Sequence, residues 1–332
     1  MFFKTITEKT YELISNTINN TINKSVPKIL LGLSGGPDSV FLLHVLQQLA
    51  HTKKIELYAA HLDHEWRTNS HEDAMFCQTL CQNLGVTLFI ERAGNLDAAY
   101  KYNGSQEELG RKMRRTFFKK LAHEYAIDFI ALAHHLQDQQ ETFIMRLMRG
   151  TTLDGLTCMK SVDGLYVRPL LSVNKQDILD YLDRHNISYL QDPTNISDAF
   201  LRNRIRKYVL PAFIACDERF NQKFETTIQS LQEENSFLGN LTHDLFVNIF
   251  TLNQETQRFI GNLITFKAFD LVLQKRVLMY WIIQEKVSFM PSTAHIEEIL
   301  RFLSSAHGGS HQLGTNWKLC KHQKSFWIEK FS

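Results

Sequence analysis

The chain has 332 residues, of which 44% are hydrophobic and 22% charged, and its formal net charge is only +2. These proportions are ordinary for a soluble globular protein, and the length is sufficient for a large core and two domains. No stretch approaches the roughly 18 consecutive apolar residues of a transmembrane helix, so we expect no membrane span. The near-neutral net charge argues neither for nor against binding of nucleic acid, so this question depends on local clusters of charged residues.

The cysteines indicate the compartment. There are 5 of them, an odd number, without dense pairing and without a Cys-x-x-Cys motif. Cys77 and Cys81 lie one helical turn apart in an apolar pattern, which favours core packing over metal binding. This usage is typical of a reducing compartment, and the N-terminus lacks the apolar run of a signal peptide. We therefore expect a cytoplasmic protein.

Strands and helices alternate through the first half of the chain. Helical spacing of apolar residues predicts an amphipathic helix over 1–25. Further patterns predict strands at 29–33, 55–62, 86–91 and 128–133, and helices near 38–51, 71–84, 105–125 and 139–149. This alternation indicates an α/β fold with a parallel, doubly wound sheet covered on both faces. In such sheets the functional site lies at the carboxyl ends of the strands.

The segment Ser34-Gly-Gly-Pro-Asp-Ser39 follows the first predicted strand and begins the next helix. Its two glycines allow backbone angles and a close approach that a Cβ would prevent. Pro37 suits a first helical turn, and the Asp and Ser after it suit the same turn through charge and hydrogen bonding. The backbone N–H groups of such a turn point at an anion.

Two better-known phosphate loops do not fit this segment. No lysine follows before Lys53, which excludes a Walker loop, and the third glycine of the dinucleotide fingerprint is missing. A plain strand–turn–helix corner is the alternative explanation. The six residues instead resemble the PP-loop of the N-type ATP pyrophosphatases, a resemblance that implies binding of the pyrophosphate of ATP and transfer of AMP to an oxygen.

Two clusters follow the second and third predicted strands. After the second strand, the backbone around His61 is placed to meet the base of a bound nucleotide. A metal site from His61, Asp63 and His64 is disfavoured, because alternate residues of a strand point to opposite faces. After the third strand, a predicted helix carries Arg111 and Arg115 about one turn apart. A solvated basic helix is the plain interpretation, but we favour contact of Arg111 with ATP or the activated substrate.

A fourth cluster runs from His134 to Thr142 and continues to Gly150. Asp138 and Glu141 are three residues apart at a helix start, so they share a face. Two carboxylates beside a triphosphate suit magnesium, and they could also accept a proton from an attacking amine. Capping of the helix by acids is the structural alternative.

A second basic patch lies at Leu201–Lys207, close to a predicted domain boundary. We place a catalytic domain at 1–215 and a smaller, mainly helical domain at 216–332, which ends in short strands rich in Trp, Lys and His. Aromatic side chains interleaved with cations can stack on bases, although a small core with wet edges explains them equally well.

Taken together, the clusters resemble the tRNA(Ile)-lysidine synthetase family over roughly residues 28 to 211. The resemblance further includes Leu62-Asp-His64, Arg168-Pro-Leu-Leu171, Asp192-Pro-Thr-Asn195 and Arg202-Asn-Arg-Ile-Arg206. One departure is visible, because the family usually has two acids after the paired His and the first is here Gln137. This departure counts against a metal site that needs both adjacent acids. It does not affect a metal site that uses Asp38, Asp138 and Glu141.

The resemblance implies an ATP-dependent ligase. ATP would activate the C2 oxygen of the wobble cytidine in an isoleucine tRNA with a CAU anticodon, and the ε-amine of free L-lysine would then replace AMP to give lysidine. The implied cofactors are ATP and Mg²⁺, the implied partners are this tRNA and L-lysine, and a homodimer is left open. The predicted residues are Ser34, Gly35, Gly36, Pro37, Asp38, Ser39, His61 and His134 for ATP; Asp38 and Asp138 for metal; Asp38, Arg111, Asp138 and Glu141 for catalysis; and Arg115, Arg202, Arg206 and Lys207 for tRNA.

Three rival functions remain open from the sequence. A PP-loop enzyme that thiolates tRNA would need reactive cysteines, and those of this chain lie in apolar patterns or outside the predicted site. An amidotransferase-type ligase would need an ammonia source, and no glutaminase domain or N-terminal Cys nucleophile is visible. A non-catalytic RNA-binding relative would not need the intact acids and Arg111.

Overall fold

The computed structural model describes residues 1–21, 26–66, 70–95, 106–191, 198, 200–287, 291–314 and 316–331. The motif Asp192–Asn195 therefore lies outside the described residues. The chain forms two compact units, Met1–Leu231 and Gln232–Ser332. Within the described ranges, no helix is both long and apolar enough to cross a membrane.

The first unit is built on a sheet with the order β3-β2-β1-β4-β6-β5. Neighbouring strands are parallel except for β5, which pairs with β6 in an antiparallel hairpin. The strands are β1 (Lys28–Gly32), β2 (Glu56–Asp63), β3 (Thr87–Arg92), β4 (Phe129–Ala131), β5 (Val162–Asp163) and β6 (Tyr166–Val167). The predicted parallel sheet is confirmed, and its strand order reverses between β1 and β4, where such folds bind ligands.

Helices surround this sheet. They are α1 (Phe2–Thr21), α2 (Pro37–His51), α3 (Ser70–Asn83), a short 3₁₀ helix (Ala93–Asn95), α4 (Gln106–Glu124), α5 (Leu136–Arg149), α6 (Leu153–Leu156), α7 (Lys175–Arg184), α8 (Leu201–Arg204), a π-helical segment (Ile205–Val209) and α9 (Leu210–Cys216). Residues of β1 show that both faces are covered, since Ile29 and Leu31 join one apolar cluster and Leu30 joins another. A strand that is buried on both faces explains the continuous apolar run in the sequence.

The helix α10 (Phe220–Ile249) contains the division between the two units, which falls after Leu231 rather than at the sequence-based boundary of 215. Phe224 and Ile228, on the first turns of this helix, form a small buried cluster with Leu136 of α5. These apolar contacts assign the start of α10 to the first unit.

The second unit combines helices with an antiparallel sheet of order β7-β8-β11-β10-β9. Its elements are β7 (Phe250–Asn253), β8 (Arg258–Asn262), α11 (Leu263–Lys267), α12 (Leu271–Gln284), α13 (Thr293–Ser304), β9 (Gly309–Gln312), β10 (Trp317–His322) and β11 (Ser325–Lys330). The predicted terminal strands are confirmed. The β7–β8 hairpin was not predicted, because its strands are short and show little alternation. Trp281 and Phe326 are fully buried in the core of this unit, where their rings contact each other at right angles.

Candidate active site at the carboxyl edge of the sheet

The Ser34–Ser39 loop connects β1 to α2 in the form that the sequence predicts. Gly35 has a φ of 82°, and Gly36 is the N-cap of α2 with Pro37 in the first helical position. The Ser39 hydroxyl donates to Gly36 O at 2.9 Å and accepts from the Ser34 N–H at 3.2 Å. The loop is thus held from inside, and the N-terminus of α2 opens toward the edge of the sheet where an anion would bind.

His61 supports this loop from the neighbouring strand. Its Nδ1 lies 2.9 Å from Leu33 O, and the side chain is buried. Burial lowers the pKa of His61, although the Leu33 carbonyl and nearby acids oppose the shift. A neutral imidazole can donate its Nδ1–H to Leu33 O, so the side chain holds the backbone just before the loop. Contact of this region with ATP stays a prediction.

Asp38 and Asp138, the two predicted metal ligands, lie on either side of one histidine. His135 Nε2 is 3.8 Å from Asp38 Oδ2 and 3.5 Å from Asp138 Oδ2. Asp38 also pairs with Lys175, whose Nζ lies 2.5 Å and 2.6 Å from its two carboxylate oxygens. The fold therefore brings carboxylates from the first and fourth sequence clusters together.

Asp138 caps α5 and remains ionised. Its Oδ2 accepts the His135 N–H at 2.9 Å. Burial alone would raise the pKa of Asp138, but His135, Arg202 and His134 and this hydrogen bond outweigh burial and lower it. A carboxylate with a lowered pKa is a weak base, so it is better suited to hold a cation than to take a proton.

A group of polar side chains faces His134 across the same edge. Burial lowers the pKa of His134 to about 4; the attraction of Asp138 opposes this shift, and repulsion from Arg168, Arg202 and Arg111 adds to it. Among the described residues, His134 Nδ1, the Tyr166 hydroxyl and Arg168 Nε are buried without a hydrogen-bond partner. Buried polar groups are normally paired, so these atoms indicate a place for a polar ligand or water.

The helix α4 contributes cations to this group. Arg115 Cζ lies 5.3 Å from the centre of the Tyr166 ring. Arg111, one turn before it, is exposed but near enough to affect the pKa of both His134 and Tyr166. The predicted Arg111 and Arg115 are thus brought to the same part of the site.

Glu141 is the most enclosed acid of the cluster. Its side chain is 0% exposed and pairs with two arginines of the basic patch, since Arg202 Nε lies 2.6 Å from Oε2 and Arg206 Nε lies 2.7 Å from Oε1. Arg202 Nη2 also lies 3.3 Å from Asp138 Oδ1.

A π-helical segment begins just after Arg204, and such segments are frequent at functional sites. Lys207 instead pairs with Asp198 at 2.9 Å.

Sequence reasoning missed Lys175, His135 and the role of Gln137 in this arrangement. Arg168 belongs to a recognised family motif but received no role. The paired His134-His135 was a signal that could have identified His135, because both residues lie within four residues of the end of β4. Lys175 carries no local signal, since its partner Asp38 is 137 residues away.

Magnesium fits the donor set only together with a substrate. Among the described residues, no group of three or more His, Cys, Asp and Glu side chains could hold a metal ion. Asp38 and Asp138 supply two carboxylates, and magnesium typically takes one or two carboxylates together with substrate phosphates and water. These oxygen donors therefore fit magnesium bound as a complex with ATP.

Two protein families match successive parts of the chain. The PP-loop domain family matches residues 5–213, and the family described as the TilS substrate binding domain matches residues 262–327. A tRNA(Ile)-lysidine synthase of Bacillus cereus (strain ATCC 10987 / NRS 248) is 32% identical over 282 residues, which are 82% of this chain and 59% of that protein. A tRNA(Ile)-lysidine synthase of Clostridium perfringens (strain ATCC 13124) is 40% identical over 210 residues, which are 63% of this chain and 44% of that protein. The chain therefore spans about half the length of these relatives.

A solved structure shows the same fold. The U34-tRNA thiolase NcsA from Methanococcus maripaludis, determined with its 4Fe–4S cluster, matches with a TM-score of 0.57 and 18% identity over 69% of this chain and 80% of that chain. At this identity the likeness concerns the fold alone. Because the PP-loop domain family matches more than half of the residues, the chain belongs to the PP-loop family, whose ATP-binding domain implies the use of ATP.

Proposed function

We propose that the chain is a tRNA(Ile)-lysidine synthase, which ligates free L-lysine to C2 of the wobble cytidine of an isoleucine tRNA with a CAU anticodon. It would act in the cytoplasm and change decoding from AUG to AUA. The observation that carries the proposal is the meeting of the Ser34–Ser39 loop, Asp38 and Asp138 at one edge of the sheet. The relatives that cover most of this chain support the choice of reaction.

In the first step, the C2 oxygen of cytidine would attack the α-phosphorus of ATP and pyrophosphate would leave. The loop N–H groups and the N-terminus of α2 would bind the phosphate oxygens and stabilise the charge that develops on the leaving group. Asp38 and Asp138 would hold magnesium, which supplies charge neutralisation on the phosphates when bound. Cytidine C2 thereby gains AMP, a good leaving group, on its oxygen.

In the second step, the ε-ammonium of lysine would first lose a proton to solvent, and the neutral amine would then attack C2. The C2–O bond would break, AMP would leave with the former C2 oxygen, and the new C–N bond would give lysidine. Asp138 is suited to anchor the incoming cationic amine, because its lowered pKa keeps it charged. His134 stays neutral at physiological pH, and its buried Nδ1 has no hydrogen-bond partner among the described residues. It would accept a hydrogen bond from the amine or contact ATP. Arg111 would contact the phosphate of AMP or the activated base.

Glu141 would contribute indirectly, because both of its oxygens are paired with arginines. Glu141 would position Arg202 beside Asp138 and hold Arg206 at the surface. The Arg206 side chain is 41% exposed, so its guanidinium can meet an RNA phosphate while it keeps its bond to Glu141. Arg115 and Lys207 would add further phosphate contacts. A single-stranded anticodon loop permits the base to be unstacked at low cost.

The cysteines favour this reaction over tRNA thiolation. Burial raises the pKa of Cys77 to about 12 and the pKa of Cys81 to about 11. The pKa of Cys158 is raised by burial to about 11 as well. A thiolate is the reactive form of cysteine, so these three thiols with raised pKa values are poor nucleophiles.

The decisive experiment is transfer of labelled lysine to an in vitro transcribed isoleucine tRNA with a CAU anticodon, in the presence of ATP and magnesium. A transcript with uridine in place of the wobble cytidine is the matched control. Label on the first transcript alone would support both the reaction and the target base. Absence of label on both, with ATP still cleaved to AMP, would refute the lysidine proposal in favour of another PP-loop ligase.

A further inference from the structure

The Ser34–Ser39 loop contains no lysine, although phosphate loops commonly use one as a point charge for the β- and γ-phosphates. A lysine nevertheless reaches this loop from another element. Lys175, the first residue of α7, places its Nζ 2.5 Å and 2.6 Å from the carboxylate oxygens of Asp38. The side chains of Lys175 and Asp38 are 29% and 25% exposed, so the ammonium is partly enclosed beside the loop.

The start of α7 is fixed by a two-way hydrogen bond from Gln137. The side-chain carbonyl of Gln137 accepts the Lys175 N–H at 2.9 Å, and its amide donates to Asn174 Oδ1 at 3.1 Å. Asn174 is itself the N-cap of α7 and accepts from the Gln176 N–H at 3.0 Å. The Gln137 side chain therefore connects the start of α5 with the start of α7.

The amide at position 137 forms both bonds at once, because it has an acceptor oxygen and a donor NH₂ group. An ionised carboxylate has acceptor oxygens alone, so it could accept the Lys175 N–H but would place an oxygen against Asn174 Oδ1. The Gln137 side chain therefore brings no negative charge to the region of Asp38 and Asp138, and its amide donor holds the segment that carries Lys175.

We infer that Lys175 binds the pyrophosphate portion of ATP and that Gln137 positions Lys175 for this contact. The inference rests on the proposed function only in taking ATP as substrate. An ammonium group has three donors, so Nζ can keep a bond to Asp38 and offer others to phosphate oxygens. As pyrophosphate leaves, negative charge grows on those oxygens, and a cation already in place stabilises it without reorganisation. Lys175 is thus assigned to substrate contact, and Gln137 is a positioning residue.

An ordinary surface ion pair is the alternative, and such a pair contributes little to stability or function. If Lys175 and Asp38 formed only such a pair, removal of Lys175 would change the affinities for ATP and AMP equally or leave both unchanged. The test is therefore the binding of three ligands by calorimetry at a constant magnesium concentration: ATP, pyrophosphate and AMP. The variants are Lys175→Met and Lys175→Gln, with Lys175→Arg as the conservative form and Lys9→Met, on the exposed side of α1, as the matched control.

We expect Lys175→Met and Lys175→Gln to weaken ATP and pyrophosphate binding about tenfold or more, as loss of a charge-assisted phosphate contact should. Binding of AMP should change less than about twofold, because AMP lacks the phosphates in question. Lys175→Arg should recover part of the affinity, and Lys9→Met should match the unmodified chain. Equal losses for ATP and AMP, or no loss for either, would overturn the assignment.

The positioning role of Gln137 requires a double-mutant cycle. Gln137→Met should weaken ATP binding about threefold to tenfold in the unmodified chain and have no further effect in the Lys175→Met background, because both changes act through the same ammonium. Gln137→Glu should act in the same direction as Gln137→Met. Additive effects would show that Gln137 acts by another route and would remove it from the inference.

These measurements are independent of lysine transfer. They use neither tRNA nor lysine, so failure to form lysidine would leave the ligand selectivity of Lys175→Met unaffected. Conversely, the chain could form lysidine while its Lys175 variants bind ATP normally. That result would support the proposed function and refute the inference about Lys175. Thermal unfolding of each variant, compared with Lys9→Met, identifies any loss of affinity that follows from loss of fold.

Discussion

Arg202 Nε donates to Glu141 Oε2 at 2.6 Å across 61 residues of sequence, and the Glu141 carboxylate has no exposed surface. The same guanidinium reaches Asp138 Oδ1 at 3.3 Å. A residue of the basic patch is therefore coupled to a predicted metal ligand through one planar group. This arrangement links the segment that we assign to RNA binding with the acids that we assign to the reaction.

Glu141→Gln should destabilise the first unit. The change removes the carboxylate that pairs with both Arg202 and Arg206 and leaves Arg202 only its longer contact with Asp138 at 3.3 Å. Removal of one member of a buried ion pair costs about 3–5 kcal/mol. We expect a smaller loss of about 2 kcal/mol in the free energy of unfolding, because the arginines remain partly open to water. Urea denaturation measures this loss, with Glu8→Gln as control, because Glu8 pairs with Lys4 at 3.9 Å on the exposed surface of α1. A loss no larger than that of Glu8→Gln would contradict the structural role of this pair.

Gly35 and Gly36 should respond differently to alanine. Gly35 has a φ of 82°, and a Cβ there would lie 2.6 Å from Leu190 Cδ1, whereas a Cβ on Gly36 would meet only Ser34 Oγ at 3.5 Å. Gly35→Ala should therefore reduce the free energy of unfolding by about 1–2 kcal/mol, and Gly36→Ala by less than about 0.5 kcal/mol. Denaturation of both variants without ligand checks this. Equal effects would mean that the loop relaxes around position 35.

Much of the first unit follows from local sequence. The apolar run at β1, the glycine turn after it and Pro37 at the start of α2 each specify one conformation, and together they predict the site at the carboxyl edge. The pairing of Lys175 with Asp38 does not follow, because it depends on where α7 lies against the sheet rather than on any local pattern.

The arginines of the basic patch illustrate the same limit. Their sequence predicts a patch of positive charge, which suggested exposed phosphate contacts. The buried acid that receives Arg202 and Arg206 lies on α5, and nothing in either segment specifies that they meet. Likewise, nothing in the sequence around Gln137 specifies that its side chain meets the Lys175 N–H and Asn174 Oδ1 at the start of α7.

Stability should fall as the pH falls from about 6.5 to about 4, the folded pKa of His64 and His134. Burial and nearby arginines lower both values. The unfolded state then binds more protons than the folded state in this window, so the free energy of unfolding rises with pH there. The pKa of Asp138 is lowered from 3.8, so its titration affects the free energy of unfolding only below this pH range. Urea denaturation at several pH values should show a smaller slope in His134→Gln than in the unmodified chain. An unchanged slope would exclude a lowered His134 pKa.

Asp138→Asn should reduce lysine transfer by at least about 100-fold under single-turnover conditions. The amide can still accept the His135 N–H, so α5 keeps its cap, but the charge that holds magnesium or the amine of lysine is gone. Raising magnesium should recover part of the rate if the metal is the partner, and raising lysine should do so if the amine is. Asp180→Asn, on the exposed side of α7, is the control. Full activity in Asp138→Asn would remove this residue from the proposed mechanism.

Arg206→Gln and Arg115→Gln should weaken tRNA binding and lower its salt dependence. Each phosphate contact contributes roughly 0.7 to the slope of log affinity against log salt for single-stranded nucleic acid, and about 0.9 for a duplex. Loss of one contact should reduce the slope by about one such increment. Filter binding between low and moderate salt measures this, with Lys120→Gln, exposed on α4, as the matched control. If a variant loses affinity with an unchanged slope, its arginine acts through the fold of the site, as Arg206 could through Glu141, and not through a phosphate.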